Sequence, residues 1–212
     1  MNAKLIAVAA AALSLVAGAA HAQQDNWLVR VRAVNLDSAN TNNAQLKGTL
    51  ASLGATEASI NNKWLPEFDI SYFFTPNIAA ELILTYPQKQ TLSIGGLGKV
   101  GSFKHLPPTL TAQYHFIPNG QFRPYVGLGV NYTNISSVKW ESNVGPLDLN
   151  LKRNSFGLAA QVGFDFMLDK NWSLNVDVKK VQIGTTVSSK GTDIGKFKVD
   201  PLLVGVGVGY RF

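Results

Sequence analysis

Few residues of this chain have the types and spacing that chemistry needs. A hydrolase would need a nucleophile, a base and a group to orient the base. His115 is the one imidazole that strand alternation places on an inner face, and a histidine inside an ion-pair network accounts for it more simply. Glu67, Asp69 and Glu81 could form a carboxylate pair for acid–base work, but five nearby cations explain them more simply. Gly96, Gly98 and Gly101 match the dinucleotide fingerprint G-x-G-x-x-G, yet no helical pattern follows them. Metal binding lacks ligands, because cysteine is absent and His105 and His115 are the only histidines beyond residue 22. The chain therefore offers no catalytic constellation, metal site or cofactor site, which favours transport or binding over catalysis.

The elements that carry these residues are strands. From Leu106 to Phe116, residues Leu106, Pro108, Leu110, Ala112, Tyr114 and Phe116 share one parity, opposite Pro107, Thr109, Thr111, Gln113 and His115. After a turn at Pro118-Asn119-Gly120, Phe122, Pro124, Val126, Leu128, Val130 and Tyr132 oppose Arg123, Tyr125, Gly127, Gly129 and Asn131. An apolar face without a charge and a face of small and polar groups suit a sheet between lipid and a polar interior. The same rule holds in six more strands: 27–35, 64–74, 78–86, 156–166, 172–180 and 202–212. The expected fold is all-β: an eight-stranded antiparallel up-and-down transmembrane β-barrel, with short periplasmic turns near residues 75, 119 and 170 and long extracellular loops. Leu46, Leu50 and Leu53 are spaced for a short amphipathic helix in the first loop, although so short a segment is ambiguous. A soluble eight-stranded cup is excluded by the outward face, where Lys180 near a rim is the one charge; in water that face would be an apolar belt far beyond what soluble proteins expose.

Residues 1–22 read as a cleaved signal peptide: a basic start at Lys4, an apolar run from Leu5 to Ala19, and the cleavage pattern Ala20-His21-Ala22. Residues 23–212 then form one outer-membrane barrel domain, exported through that signal. A cysteine-free exported domain is held by its sheet rather than by disulfides. With no later segment apolar enough for a helical span, a membrane location requires a closed barrel.

Without Lys4 the chain carries 18 basic and 13 acidic residues, and segments 37–63, 87–105, 135–153 and 181–199 hold eleven of the former and five of the latter. The basic character thus belongs to the loops. Lys47, Lys89, Lys99, Lys104, Lys139, Lys152, Arg153, Lys190, Lys196 and Lys198 either face anionic lipopolysaccharide in the outer leaflet or are simply solvated. Basic and aromatic residues do not interleave as in a nucleic-acid groove, so no nucleic-acid partner is expected. Inside the barrel, Arg30, Arg32, Arg123, Lys179 and Arg211 meet Glu67, Asp69, Glu81, Asp165 and Asp177. An eight-stranded interior barely admits side chains, so these groups must pair, and a polar plug is expected instead of a wide pore. Pro66, Pro87, Pro107 and Pro108 gather at the loop-side ends of neighbouring strands. They either loosen one section of wall, since proline cannot donate to the ladder, or mark where those strands end.

The stretch Leu106-Pro107-Pro108-Thr109-Leu110-Thr111-Ala112-Gln113-Tyr114-His115-Phe116, followed by Arg123-Pro124-Tyr125-Val126-Gly127-Leu128-Gly129-Val130-Asn131-Tyr132, resembles the central signature of the outer-membrane protein W family, whose relatives include the alkane-uptake barrel AlkL. Similarity extends over the mature chain, including Trp27 to Ala33, the turn Tyr72 to Asn77, and the closing Val208-Gly209-Tyr210-Arg211-Phe212. A terminal Phe resembles the signal read by the barrel-assembly machinery. The resemblance implies a barrel that admits small hydrophobic molecules from outside, holds them in an apolar outer pocket above a blocked lumen, and releases them sideways through the wall. The proline cluster would then be the lateral opening. Pocket residues are not fixed by the motif; Trp64, Leu65, Leu97, Leu106, Trp140 and Leu147 are chosen as apolar side chains near the loop-side rim. The competing reading is a structural, adhesive or receptor barrel acting through its extracellular loops.

Overall fold

The computed structural model describes residues 26–212; the signal peptide and cleavage point expected over residues 1–22 lie outside the described residues. The elements run β1 (Trp27–Asp37), β2 (Thr41–Asn42), α1 (Ala44–Ser52), β3 (Ala58–Ile60), β4 (Lys63–Phe73), β5 (Ile78–Thr85), β6 (Gln88–Ile94), β7 (Gly98–Leu106), β8 (Thr109–His115), β9 (Phe122–Trp140), β10 (Leu149–Leu151), β11 (Asn154–Met167), β12 (Trp172–Val181), β13 (Gly184–Ser189), β14 (Thr192–Lys198) and β15 (Leu202–Arg211), with a short 3-10 helix at Ser142–Leu147.

Eight of these strands close a barrel in the order β1, β4, β5, β8, β9, β11, β12, β15, every neighbouring pair antiparallel. Closure satisfies the backbone between strands, as a span through lipid demands. The first and last strands are tied at the short-turn end, where Trp27 and Phe212 exchange backbone hydrogen bonds of 3.1 and 2.9 Å. Side-chain parity is as expected: Leu128, Phe156, Leu158 and Val162 project outward and are largely exposed, whereas Arg30, Asp69, Glu81 and Tyr125 face inward and are fully buried. A periplasmic aromatic girdle is built from edge contacts, Trp27 on Tyr72, Tyr72 on Phe74, Tyr114 on Phe116 and Trp172 on Tyr210, with ring centroids 4.8 to 5.2 Å apart.

Above the membrane, the segments expected as loops are largely ordered sheet. The hairpin of β6 and β7 extends the barrel sheet along the upper half of the 19-residue β9, and β3 adds to its edge. A separate four-stranded sheet orders β10, β13, β14 and β2. These strands read poorly in sequence because several are two or three residues long, and register shifts at Leu92/Ser93 and Val187/Ser188 break the period of two. One signal was available in Gly191, which with Lys190 forms a tight hairpin turn, both at positive φ (78° and 49°). Of the Gly96–Gly101 motif, Gly96 and Gly98 make the hairpin tip between β6 and β7, and Gly101 lies inside β7 opposite Leu92. Helix α1 forms where leucine spacing suggested it; the Asn43 side chain caps it by accepting from Leu46 N–H at 3.0 Å, and Leu46 and Leu50 are buried. Leu53 is its half-exposed C-cap.

Candidate functional site

Two features divide the interior. The lower one is a polar network that crosses the lumen. Arg30 on β1 donates through Nε and Nη2 to the two carboxylate oxygens of Asp165 on β11, at 3.0 and 2.6 Å, and through Nη1 to Glu81 on β5 at 2.6 Å. Its guanidinium also lies 5.1 Å from the ring centre of Tyr125 on β9, the strand opposite β1 in the ring of eight. Arg32 lies 2.7 Å from Asp69 and 3.1 Å from Glu67, and Lys179 lies 2.7 Å from both Glu67 and Asp177. Neutral groups complete the network: Gln113 and Gln161 donate to Glu81 at 2.7 and 3.0 Å, Asn175 to Asp165 at 2.9 Å, and Tyr125 to Asp177 at 2.9 Å. Inward glycines make room for these groups. A Cβ on Gly163 would stand 2.5 Å from the Tyr125 hydroxyl.

Eight of the ten charged residues expected in the lumen meet here. Arg123 sits lower, half-buried, with Nε donating to the Gly120 carbonyl at 2.9 Å, and Arg211 stacks at 4.1 Å on the Phe73 ring at the periplasmic mouth. Both lie at the ends of their strands, below the level of Arg30. His115 is packed between Phe73 and Tyr125, with Nε2 3.2 Å from Gln113 Oε1. Because the Gln113 amide donates to Glu81, its oxygen faces His115, which must carry the Nε2 proton for this bond. That arrangement orients the network and brings no nucleophile to the imidazole. Among the described residues, no three His, Asp or Glu side chains are grouped to hold a metal ion.

The upper feature is apolar. Leu46, Leu50, Leu92, Leu97, Phe103, Trp140, Leu147 and Phe197 are among the residues around a pocket beneath α1. A second cavity lies directly above the polar network, lined by Leu36, Leu65, Ile83, Val181, Ile183 and Leu203, with Glu67, Lys179, Gln88 and His105 among its polar members. One continuous apolar cluster, running from Leu46 through Phe103 and Ile135 to Val181 and Ile183, reaches from one to the other. The cavities measure about 40 and 30 Å³, room for roughly one water each. Of the six apolar residues selected near the rim, Leu97, Trp140 and Leu147 line the outer pocket and Leu65 the lower one. Trp64 and Leu106 line neither. Their parity on β4 and β7 is outward, so Trp64 is exposed toward lipid and Leu106 is half-buried.

The wall beside the lower cavity is broken. The ladder between β5 and β8 ends at Ile83 opposite Thr109, and that between β6 and β7 begins at Gln88 opposite His105. Between these rungs, four residues on one side (84–87) face three on the other (106–108), so the two registers cannot be joined without a bulge. Pro87, Pro107 and Pro108 fall inside the break and supply no N–H. The Pro107 and Pro108 carbonyls turn to β9, each accepting from Asn131 Nδ2 at 3.2 Å, and Pro108 O also accepts from Tyr132 N–H at 3.1 Å. Pro107, Thr85 and Thr109 line the cavity behind. Pro66 stands one strand away, outward on β4 opposite Ala33 and next to the last β4–β5 rung, Glu67 with Thr85.

Comparison with known proteins places this geometry. Residues 23–212 match the model of the OmpW family. An uncharacterized outer-membrane protein, y4mB, of Sinorhizobium fredii is 40% identical over 191 residues, covering 88% of this chain and 80% of its own. Outer membrane protein AlkL of Ectopseudomonas oleovorans is 30% identical, over 76% of this chain and 71% of its own. The crystal structure of outer membrane protein OprG from Pseudomonas aeruginosa superposes with a TM-score of 0.73 at 27% identity, covering 88% of this chain and 95% of that one.

Proposed function

Because the chain belongs to the OmpW family of bacterial outer-membrane barrels, we propose that it admits small hydrophobic molecules from outside and passes them sideways into the membrane. The observation that carries this reading is the break in the wall between Ile83–Thr109 and Gln88–His105. An apolar molecule entering under α1 meets mostly apolar lining, moves along the cluster to Ile183, and finds the ion-paired network below. Crossing that network would strip charges of their partners, a large penalty; leaving through the unladdered wall breaks no backbone hydrogen bond. Both cavities are too small to hold cargo at rest, so passage requires side chains such as Phe103 and Ile135 to move. Outer-membrane lipid is the receiving phase, and the partners implied are small hydrophobic ligands and, for folding, the barrel-assembly machinery.

The absence of cysteine makes a direct test simple. A Thr85→Cys, Pro107→Cys variant places one thiol on each side of the break. Bridging the two with a short bifunctional reagent should abolish uptake of an apolar fluorescent probe into lipid vesicles, while the unbridged variant remains active. Equal uptake by the bridged and unbridged proteins would overturn the lateral route.

A further inference from the structure

A second concave site lies on the outer surface of the wall, away from the break. It is a groove of about 370 Å³ between the outer end of β11 and the β13–β14 hairpin, and its lining includes Lys152, Phe156, Gln182, Lys196, Lys198 and Asp200. The rows are close together in the sheet. Lys198 pairs with Gly184 and Lys196 with Thr186, and Lys152 N–H donates to the Thr186 carbonyl at 2.9 Å. All three lysines are exposed, as is Phe156 at the groove's lower edge, where the apolar belt begins and continues through Leu158.

The charge here is uncompensated. Two lysines above the membrane find acids, Lys47 with Glu57 at 2.9 Å and Lys99 with Glu141 at 2.7 Å. Among the described residues, Lys152, Lys196 and Lys198 have no ion pair. The one carboxylate in the groove, Asp200, already accepts from Ile183 N–H at 2.9 Å. Lys196 and Lys198 stand two apart on β14, and Lys152 follows β10 on the other side of β13; like charges gathered in one groove repel one another unless an anion sits among them. Their height restricts which anion: they stand immediately above an exposed Phe and Leu that face acyl chains, at the level where lipid phosphates lie.

We propose that this groove binds the phosphorylated sugar head of lipid A, the anchor of lipopolysaccharide, with its phosphate among Lys152, Lys196 and Lys198 and its acyl chains against Phe156 and Leu158. The groove opens on the extracellular half of the barrel, where lipopolysaccharide is the anionic lipid, and it is larger than a bare phosphate requires. Bound there, the lipid would also add to the contacts that hold the β13–β14 hairpin to β11, where Gly184 N–H donates to the Ser155 hydroxyl at 3.0 Å.

The test uses the full folded protein in detergent micelles, titrated with bis-phosphorylated lipid A and followed by native mass spectrometry. Dephosphorylated lipid A and phosphatidylglycerol serve as comparison lipids. Each cation near an anionic surface contributes about a factor of five, so the Lys152→Gln, Lys196→Gln, Lys198→Gln triple should weaken lipid A binding by roughly a hundredfold. A control triple at Lys104, Lys139 and Lys190, with the same net charge, should bind within a few-fold of the native chain. The heat-dependent gel mobility of folded barrels verifies each variant, and Lys198→Glu alone provides a single-site version should the triple fail to fold. Equal loss in both triples, unchanged binding by the groove variants, or equal binding of the three lipids by the native chain would each overturn the site.

Discussion

Arg30 holds both carboxylate oxygens of Asp165 across the interior of the barrel, at 3.0 and 2.6 Å, with both side chains shielded from solvent. The same guanidinium serves Glu81 at 2.6 Å. Replacing Arg30 with Met leaves buried Asp165 without the guanidinium that pairs with it and Glu81 with Arg32 alone, at 3.4 Å. Removing one partner of such a pair costs about 3–5 kcal/mol. Urea unfolding in lipid vesicles should show that loss, and further neutralisation by Glu81→Gln and Asp165→Asn should recover most of it. A cost below about 1 kcal/mol for Arg30→Met would mean that the network contributes little to holding the barrel.

Gly163 predicts a steric effect of similar origin. A methyl group there would meet the Tyr125 hydroxyl at 2.5 Å and the Val176 carbonyl at 2.6 Å. Overpacking of this kind costs about 1–3 kcal/mol. Gly163→Ala should lower stability by that amount, and adding Tyr125→Phe should relieve the hydroxyl part of it. If Gly163→Ala unfolds at the native urea concentration, the interior has more slack than these contacts allow.

At the break, Pro107→Thr with Pro108→Val restores two backbone donors between His105 and Thr109. Backbone amides of residues 106–108 should then gain protection from hydrogen exchange, and probe uptake should slow at equal amounts of folded protein. Unchanged uptake would show that the missing donors do not govern exit.

Lys89 and Lys104 are directly opposed across β6 and β7, and both are exposed. Like charges so placed destabilise a ladder by roughly 0.2–1 kcal/mol. Lys104→Glu should therefore stabilise this hairpin at low salt, with the gain shrinking as ionic strength rises. A gain indifferent to salt would point to a cause other than charge.

His105 makes the same hairpin sensitive to acid. Burial, reinforced by the charge of Lys63, pushes its pKa down to about 4. The unfolded imidazole binds its proton near pH 6.5. Between these values the unfolded state holds more protons, so stability is complete above about pH 6.5 and falls as the pH drops toward 4. Protection factors of β6 and β7 amides, taken relative to the intrinsic exchange rate at each pH, should fall over that window, by an amount equivalent to no more than about 3 kcal/mol. His105→Gln should flatten the response, and a native profile without slope between pH 6.5 and 4 would contradict the assignment.

Much of this was legible in the chain. Parity along a strand is a geometric certainty once the strand exists, so an uncharged face of Leu110, Leu128 and Val162 opposite Arg30, Glu81 and Asp165 determined eight strands, a lipid side and a charged interior. The same rule also placed Trp64 and Leu106 outward, away from the cavities. What parity cannot supply is the partner. Whether Arg30 meets Asp165, 135 residues away, depends on the stagger of the closed barrel and on which side chains reach across it. The sheet above the membrane stayed hidden because its strands are short and bulged, stabilised by one another instead of by a period of their own. Three further features were decided only in three dimensions: the four-against-three mismatch beside Pro107 and Pro108, the apolar pocket under α1, and the meeting of Lys152 with Lys196 and Lys198. Each arises from segments far apart in the chain, and their registers are set by closure of the whole barrel, which no local pattern encodes.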